Sequence, residues 1–387
     1  MVFQDMKILM LNYEFPPMGG GAGNATDNIS KNLALTGHDV TVLTSRYGKQ
    51  PPFEVKNGVK IYRVFSLRNS IHDCGFKGAY TYLFFAAVKL MEMNRTQSFD
   101  ILHFFFSLPT GLLSLLPWAF KNTPYIVSLR GSDVPYYDIY NKKVHLFNLI
   151  LKPVNRYIWG KAKEVVALSR GLKTTALRTA SKQSFEVIPN GVETDLFKPS
   201  FKPGHCKKHS AKQLRLITVS RLINRKGIDH ILEALAELND KDVELLIVGT
   251  GSYENSLKKM CSELKLDNVV TFYGYCPREK LPKLYNKADV FILPSLAESF
   301  GLVFAEAMAC GLPVIGGRTG GVPDLVKEEN GILVEPGNIR EIKNAVVKMK
   351  QKQKMRVSME EANRKRVLEY YSWERVSNLY FELYGKV

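Results

Sequence analysis

The chain has 387 residues, 45% hydrophobic and 24% charged. That excludes a disordered chain, and the length is too great for one ordinary hydrophobic core, so two domains are expected. Fifty-four Lys and Arg against 37 Asp and Glu give a formal net charge of +17, which favours anionic partners (nucleic acid, phosphorylated substrates or acidic lipid) without choosing among them.

In chain order, "MKILMLNY" reads as a buried strand, too short for a signal h-region, so no secretory leader is expected. A Gly-rich turn follows. "NATDNISKNLALTGHDV" then reads as a helix ending at Gly37, and "DVTVLTS" as the next strand. Further strands are predicted at "VKIYRVF", "FDILHFF", "PYIVSLRG", "EVVALS" and "FEVIPNG", with helical stretches between most of them. The run 101–120 is long enough to span a bilayer, but Pro109, Gly111 and Pro117 break it, and it reads as buried strand, loop and helix. Residues 199–213 are polar, basic and Pro-containing, and form the expected linker between a domain of 1–198 and one of 214–371. Their His205, Cys206 and His209 lack a fourth metal ligand and read as linker composition.

The alternation then restarts. "LRLITVSRL", "VELLIVGTG", "NVVTFYGY", "DVFILPS", "GLPVIGG" and "NGILVEP" are strands. "GIDHILEALAEL", "YENSLKKMCSEL" and "REKLPKLYNKA" are helices, and the stretch "KMKQKQKMRVSMEEANRKR" is a solvated helix face. Strand–helix alternation in both halves predicts two α/β, doubly wound parallel sheets with ligand sites at their carboxyl ends, facing a shared cleft. The five cysteines, Cys74, Cys206, Cys261, Cys276 and Cys310, are scattered and form no CxxC, which fits a reducing cytoplasm.

"PPMGGGAGNAT" nearly spells a dinucleotide loop. However, the third glycine is missing and the second strand ends "VLTSRYG" without a carboxylate, which disfavours NAD; Arg46 leaves room for NADP. The second half offers better anion chemistry. Arg221 and Lys226 follow a strand in "SRLINRKG", and "ESFGLVFAEA" starts a helix with Gly301 near its first turn. Two fixed cations facing a helix N-terminus make a diphosphate cradle without a metal. Glu298 precedes that helix and Glu306 lies about two turns in, roughly 10–12 Å further along the axis. One carboxylate can take the hydroxyls of a sugar and the other those of a ribose, with the diphosphate between them.

In these residues the sequence resembles family 4 retaining glycosyltransferases of the GT-B fold, two Rossmann-like domains facing a central cleft. The resemblance is carried by Glu298 through Glu306 (E-x7-E) within "PSLAESFGLVFAEAMACGLPVI". "SRLINRKG", "LLIVGTGS", "FYGY" and "VIPNGVETDLFKP" add to it, as does a terminal segment, 372–387, like the family's helix that crosses back to the N-terminal domain. It implies that Glu298 contacts the donor sugar, Glu306 the ribose, and Arg221 and Lys226 the diphosphate. It further implies that Ser299, Phe300, Gly301 and Leu302 support the phosphates, that Gly274 borders the base, and that Asn190 and Gly249 belong to the donor site. Gly20 and Gly21 would close over the donor from the N-terminal side. The family's usual His before Gly is Arg130 here, and a second usual His is Phe105. Arg130, Asp133 and His103 are thus the candidates for transition-state contacts from the N-terminal domain.

The resemblance also implies a metal-independent, front-face transfer with retention. It would use a nucleotide-diphosphate sugar as co-substrate and no cofactor. Nucleic acid would not be a partner, and the acceptor would be a lipid-linked or cell-envelope glycan if the run 140–163 meets a membrane. The basic, aromatic run 140–163 suits either an anionic membrane surface, giving a cytoplasmic protein peripheral to the inner face, or a core helix with a solvated basic face. The rival readings are transfer to a small soluble acceptor, a non-catalytic glycan- or membrane-binding GT-B module, an NADP enzyme, and a sugar phosphorylase.

Overall fold

The computed structural model describes residues 5–71, 73–116, 123–200 and 213–387. The chain divides into two compact units. Met1–Asn190 joins with Trp373–Val387, and Gly191–Ser372 forms the other. Residues 201–212, with most of the expected linker and its His205, Cys206 and His209, lie outside the described residues, as does Pro117 of the apolar run.

The first unit is an eight-stranded sheet. Its strands are β1 (Lys7–Leu11), β2 (Asp39–Ser45), β3 (Phe53–Lys56), β4 (Val59–Val64), β5 (Ile101–Phe105), β6 (Tyr125–Leu129), β7 (Glu164–Ala167) and β8 (Glu186–Val187). Their order is β3-β4-β2-β1-β5-β6-β7-β8, and every pairing is parallel except β3 with β4. β1 and β5 are almost continuously apolar and buried, as expected where a parallel sheet is covered on both faces. β3 was not expected: "FEVK" is largely exposed and lacks the apolar run that marks an interior strand. Between the strands lie α1 (Gly21–Leu35), α2 (Gly75–Thr96), α3 (Lys142–Ile150), α4 (Lys152–Lys161) and α5 (Arg170–Leu177). The segment 140–163 is therefore two helices, broken near Leu151.

The second unit has β9 (Leu214–Val219), β10 (Val243–Val248), β11 (Val270–Gly274), β12 (Val290–Leu293), β13 (Val314–Gly317) and β14 (Gly331–Val334). Its order is β11-β10-β9-β12-β13-β14, all parallel. Around them pack α6 (Ile228–Leu238), α7 (Glu254–Glu263), α8 (Leu281–Tyr285), α9 (Leu302–Ala309), α10 (Val322–Leu325), α11 (Ile339–Gln351) and α12 (Gln353–Tyr370). The basic tail expected to be a solvated face is partly core. Arg356, Met359 and Asn363 of α12 are buried, and the Asn363 amide donates to the carbonyls of Leu312 and Asn330 at 2.8 Å each. The last helix, α13 (Trp373–Tyr384), returns to the first unit, where Trp373, Val376, Tyr380, Leu383 and Tyr384 join the core of β1, β5 and α1.

Candidate active site

In the second unit the chain runs from β9 outward to β11, then returns beside β9 as β12 and continues the other way. The loops after β9 and β12 thus part at the switch point, where open α/β sheets hold ligands. They are pressed together by backbone. The Leu296 N–H donates to the Arg225 carbonyl at 2.8 Å. Gly227 has φ +67°, and a Cβ there would stand 2.5 Å from the Pro294 carbonyl oxygen, so only glycine allows the approach. This closeness sets Lys226 against Glu298. The ammonium lies 2.5 Å from Glu298 Oε2, with the two side chains only 12% and 13% exposed. A carboxylate and an ammonium so far from water need each other. One of the three ammonium donors goes to Glu298, leaving others for a ligand. Arg221, on the same loop, is exposed.

Gly301, with φ +92°, precedes α9 without a side-chain cap, so the first N–H groups of the helix are open to an anion. Ser299 and Leu302 are half-buried here, and Phe300 is buried. Two turns into α9, Glu306 is 2% exposed and its Oε1 accepts from Arg278 Nε at 3.1 Å. Burial pushes the Glu306 carboxyl up to about 7, against the opposing pull of Arg278. Arg278 also pairs with Glu193 and lies 4.9 Å above the Phe197 ring centroid. Each glutamate of the E-x7-E motif therefore has its own cation: Lys226 for Glu298 and Arg278 for Glu306. Gly249 and Gly274 also meet at the strand ends, the Gly249 N–H donating to the Gly274 carbonyl at 2.8 Å.

In the first unit, β1 and β5 flank the corresponding switch point. Gly20 is exposed at the N-terminus of α1 with nothing within 4 Å of a Cβ built on it, and Gly21 begins the helix. Asp133 is buried and accepts from the backbone N–H of Ser107 at 2.7 Å and those of Arg130 and Gly131 at 2.9 Å each. Burial raises its carboxyl while these donors pull it down. Arg130 Nη1 donates to Asn190 Oδ1 at 2.8 Å. His103 is wholly buried, with Nδ1 2.7 Å from the Tyr384 hydroxyl and Nε2 2.7 Å from Ser128 Oγ. Burial, then the charge of Arg130, hold its ring well below the usual imidazole range. A neutral imidazole with both nitrogens engaged joins β5 and β6 to α13, so the geometry gives His103 an internal part rather than contact with substrate.

Within the second unit, then, Lys226 and Glu298 come together beside the start of α9. Within the first, Arg130, Asp133 and Asn190 form a buried group. Sequence reasoning missed Arg278, which stands 28 positions before Glu306 in a Pro-flanked turn, because no local spacing marks a pairing that only the fold creates. Among the described residues no cluster of three or more His, Cys, Asp or Glu side chains could hold a metal ion.

Residues 19–196 match the family Glycosyltransferase Family 4, and residues 206–366 match Glycosyl transferases group 1. A GDP-mannose-dependent alpha-(1-6)-phosphatidylinositol monomannoside mannosyltransferase of Mycobacterium tuberculosis is 32% identical over 390 residues, covering 96% of both chains. The chain belongs to the family 4 glycosyltransferases. An N-acetyl-alpha-D-glucosaminyl L-malate synthase of Bacillus anthracis is 24% identical, covering 96% of this enzyme and 95% of that one. Among solved structures, sucrose-phosphate synthase from Thermosynechococcus elongatus superposes with a TM-score of 0.84 at 23% identity, over 98% of each chain, a likeness of fold. The enzyme is thus a glycosyltransferase built from the two Rossmann-like domains of the GT-B fold.

Proposed function

We propose that the enzyme moves a sugar, with retention and without a metal, from a nucleotide-diphosphate sugar to a hydroxyl of a lipid-linked or cell-envelope glycan. The observation that carries this reading is the Lys226–Glu298 pair at the switch point of the second unit, 2.5 Å apart, beside the uncapped start of α9. Lys226, Arg221 and the first N–H groups of α9 stabilise the charge that develops on the leaving diphosphate. Glu298 meets the sugar hydroxyls and Glu306 the ribose. The departing phosphate oxygen takes the acceptor proton on the same face, so no protein nucleophile is required.

The acceptor class is supported by the mycobacterial mannosyltransferase, whose name records a phosphatidylinositol mannoside. The surface of the first unit supports it as well. Phe76 and Tyr80 of α2 are 70% and 72% exposed. The Phe76 ring stands edge-on to Phe147 of α3, 5.6 Å between centroids, and Leu146 and Ile150 of α3 are also exposed. Lys142 and Lys143 start that helix in the open, so the patch joins apolar and cationic groups as a peripheral membrane contact does. No helix among the described residues is long and apolar enough to cross a membrane.

The test is a panel of nucleotide-diphosphate sugars against the purified enzyme, read by thermal shift and then by donor hydrolysis in EDTA. One donor should stabilise the protein and be consumed. If no nucleotide sugar is bound or hydrolysed, the transferase reading fails in favour of a non-catalytic module.

A further inference from the structure

Arg130 is 7% exposed, and its charge is only partly used. Nη1 donates to Asn190, and the guanidinium carbon lies 4.5 Å from the centroid of the Phe105 ring. Nε and Nη2 are buried and have no hydrogen-bond partner among the described residues. These two nitrogens share one edge of the guanidinium, the edge whose parallel N–H bonds match two oxygens of a carboxylate or phosphate. Of the carboxylates that act on its charge, Asp133 already accepts from three backbone N–H groups, and Glu14 accepts from the Gly20 N–H. His103 is neutral, with both nitrogens engaged by Tyr384 and Ser128. A buried cation with two unmet donors is expensive, and the fold spends Phe105 and Asn190 on holding that edge in place.

We infer that the Nε–Nη2 edge of Arg130 is a recognition site for an oxyanion carried by the substrate, a sugar carboxylate or a phosphate monoester, bound through two parallel hydrogen bonds. The inference rests on the proposed transfer and on Arg130 being one of the residues expected to contact the reacting sugar. It adds that this sugar, or the group next to it, is acidic. The hydroxyl oxygens of a neutral hexose can accept from these donors but leave the buried charge uncompensated, whereas a hexuronate or a sugar phosphate meets both the donors and the charge.

The test titrates glucose, glucuronate and glucose 6-phosphate into the full chain by calorimetry, each with and without the nucleoside diphosphate that binds best. Wild type should bind at least one anionic sugar ten times or more tightly than glucose; whichever it prefers tells carboxylate from phosphate. Arg130→Gln should abolish that preference. Arg130→Lys, which keeps the charge but not the fork, should lose most of it. Far-UV circular dichroism and a cooperative thermal melt report whether each variant is folded, since Arg130 lies in the first unit and the nucleotide residues in the second. Glu306→Ala should keep the anion preference while losing nucleotide affinity, which separates this inference from the donor reading. If wild type binds glucose as tightly as both anions, or if the preference survives in Arg130→Gln, the inference is wrong and Arg130 is a structural cation on Phe105.

Discussion

Glu306 sets the terms at the scale of single residues. It is buried in an otherwise apolar helix, and Arg278 holds it from a different element. Glu306→Ala should weaken nucleoside diphosphate binding by about 1.5–3 kcal/mol, roughly ten- to 150-fold, through loss of a charge-assisted hydrogen bond to ribose. Equal affinity in calorimetry would remove Glu306 from the nucleotide site. The pH dependence has a definite sign. Because burial raises this carboxyl to about 7 from an ordinary 4.5, its stabilising contribution is complete below about 4.5. It is lost as pH rises through about 7, because the unfolded chain releases the proton first. Melting temperatures of wild type and Glu306→Gln, compared from pH 4.5 to 8, should therefore shift against wild type between about 4.5 and about 7 and run parallel above about 7. A constant difference would show that Glu306 does not titrate there. The E-x7-E glutamates were legible in the sequence because a carboxylate in an apolar stretch demands a partner. Arg278 was not, since it lies far along the chain in a turn of ordinary composition. His103 stood out through the family resemblance, yet its partner Tyr384 comes from the last helix, and no periodicity announces that.

At the scale of elements, the site depends on two loops meeting at close range. Gly227→Ala places a methyl group 2.5 Å from the Pro294 carbonyl in a left-handed backbone. It should cost about 1–3 kcal/mol and disrupt the Lys226–Glu298 pair, lowering kcat. Gly20→Ala is the contrast. Nothing stands within 4 Å of the added carbon, so stability should hold within about 0.5 kcal/mol, while donor KM should rise if the start of α1 closes over the donor. Denaturant melts and steady-state kinetics of both variants measure this. A Gly227→Ala enzyme with wild-type stability would mean that the loops are not held as described. The strand–helix alternation exposed nearly every element. The exceptions were places where hydropathy is uninformative: the exposed edge strand β3, and the buried side of the expected helix α12, whose Arg356 and Asn363 sit in a strongly basic segment.

For the whole molecule, the charge of +17 and the exposed rings of α2 and α3 argue for reversible attachment to anionic lipid. The enzyme should co-sediment with anionic vesicles at low salt and be released at high salt. Lys142 and Lys143 should matter more than Lys152, whose ammonium bonds the Tyr136 hydroxyl at 3.0 Å. Indifference to anionic vesicles would favour a soluble acceptor. Metal-free transfer with retention at the Lys226–Glu298 site is checked by following the anomeric proton by NMR. EDTA-treated enzyme is given the α-linked donor chosen by the nucleotide-sugar panel, and the first-formed sugar is identified. The donor should be consumed, the first product should have the α configuration, and Glu298→Ala should slow the reaction without unfolding the protein. Consumption only after Mg²⁺ or Mn²⁺ is restored, or a β product appearing first, would contradict metal-free transfer with retention.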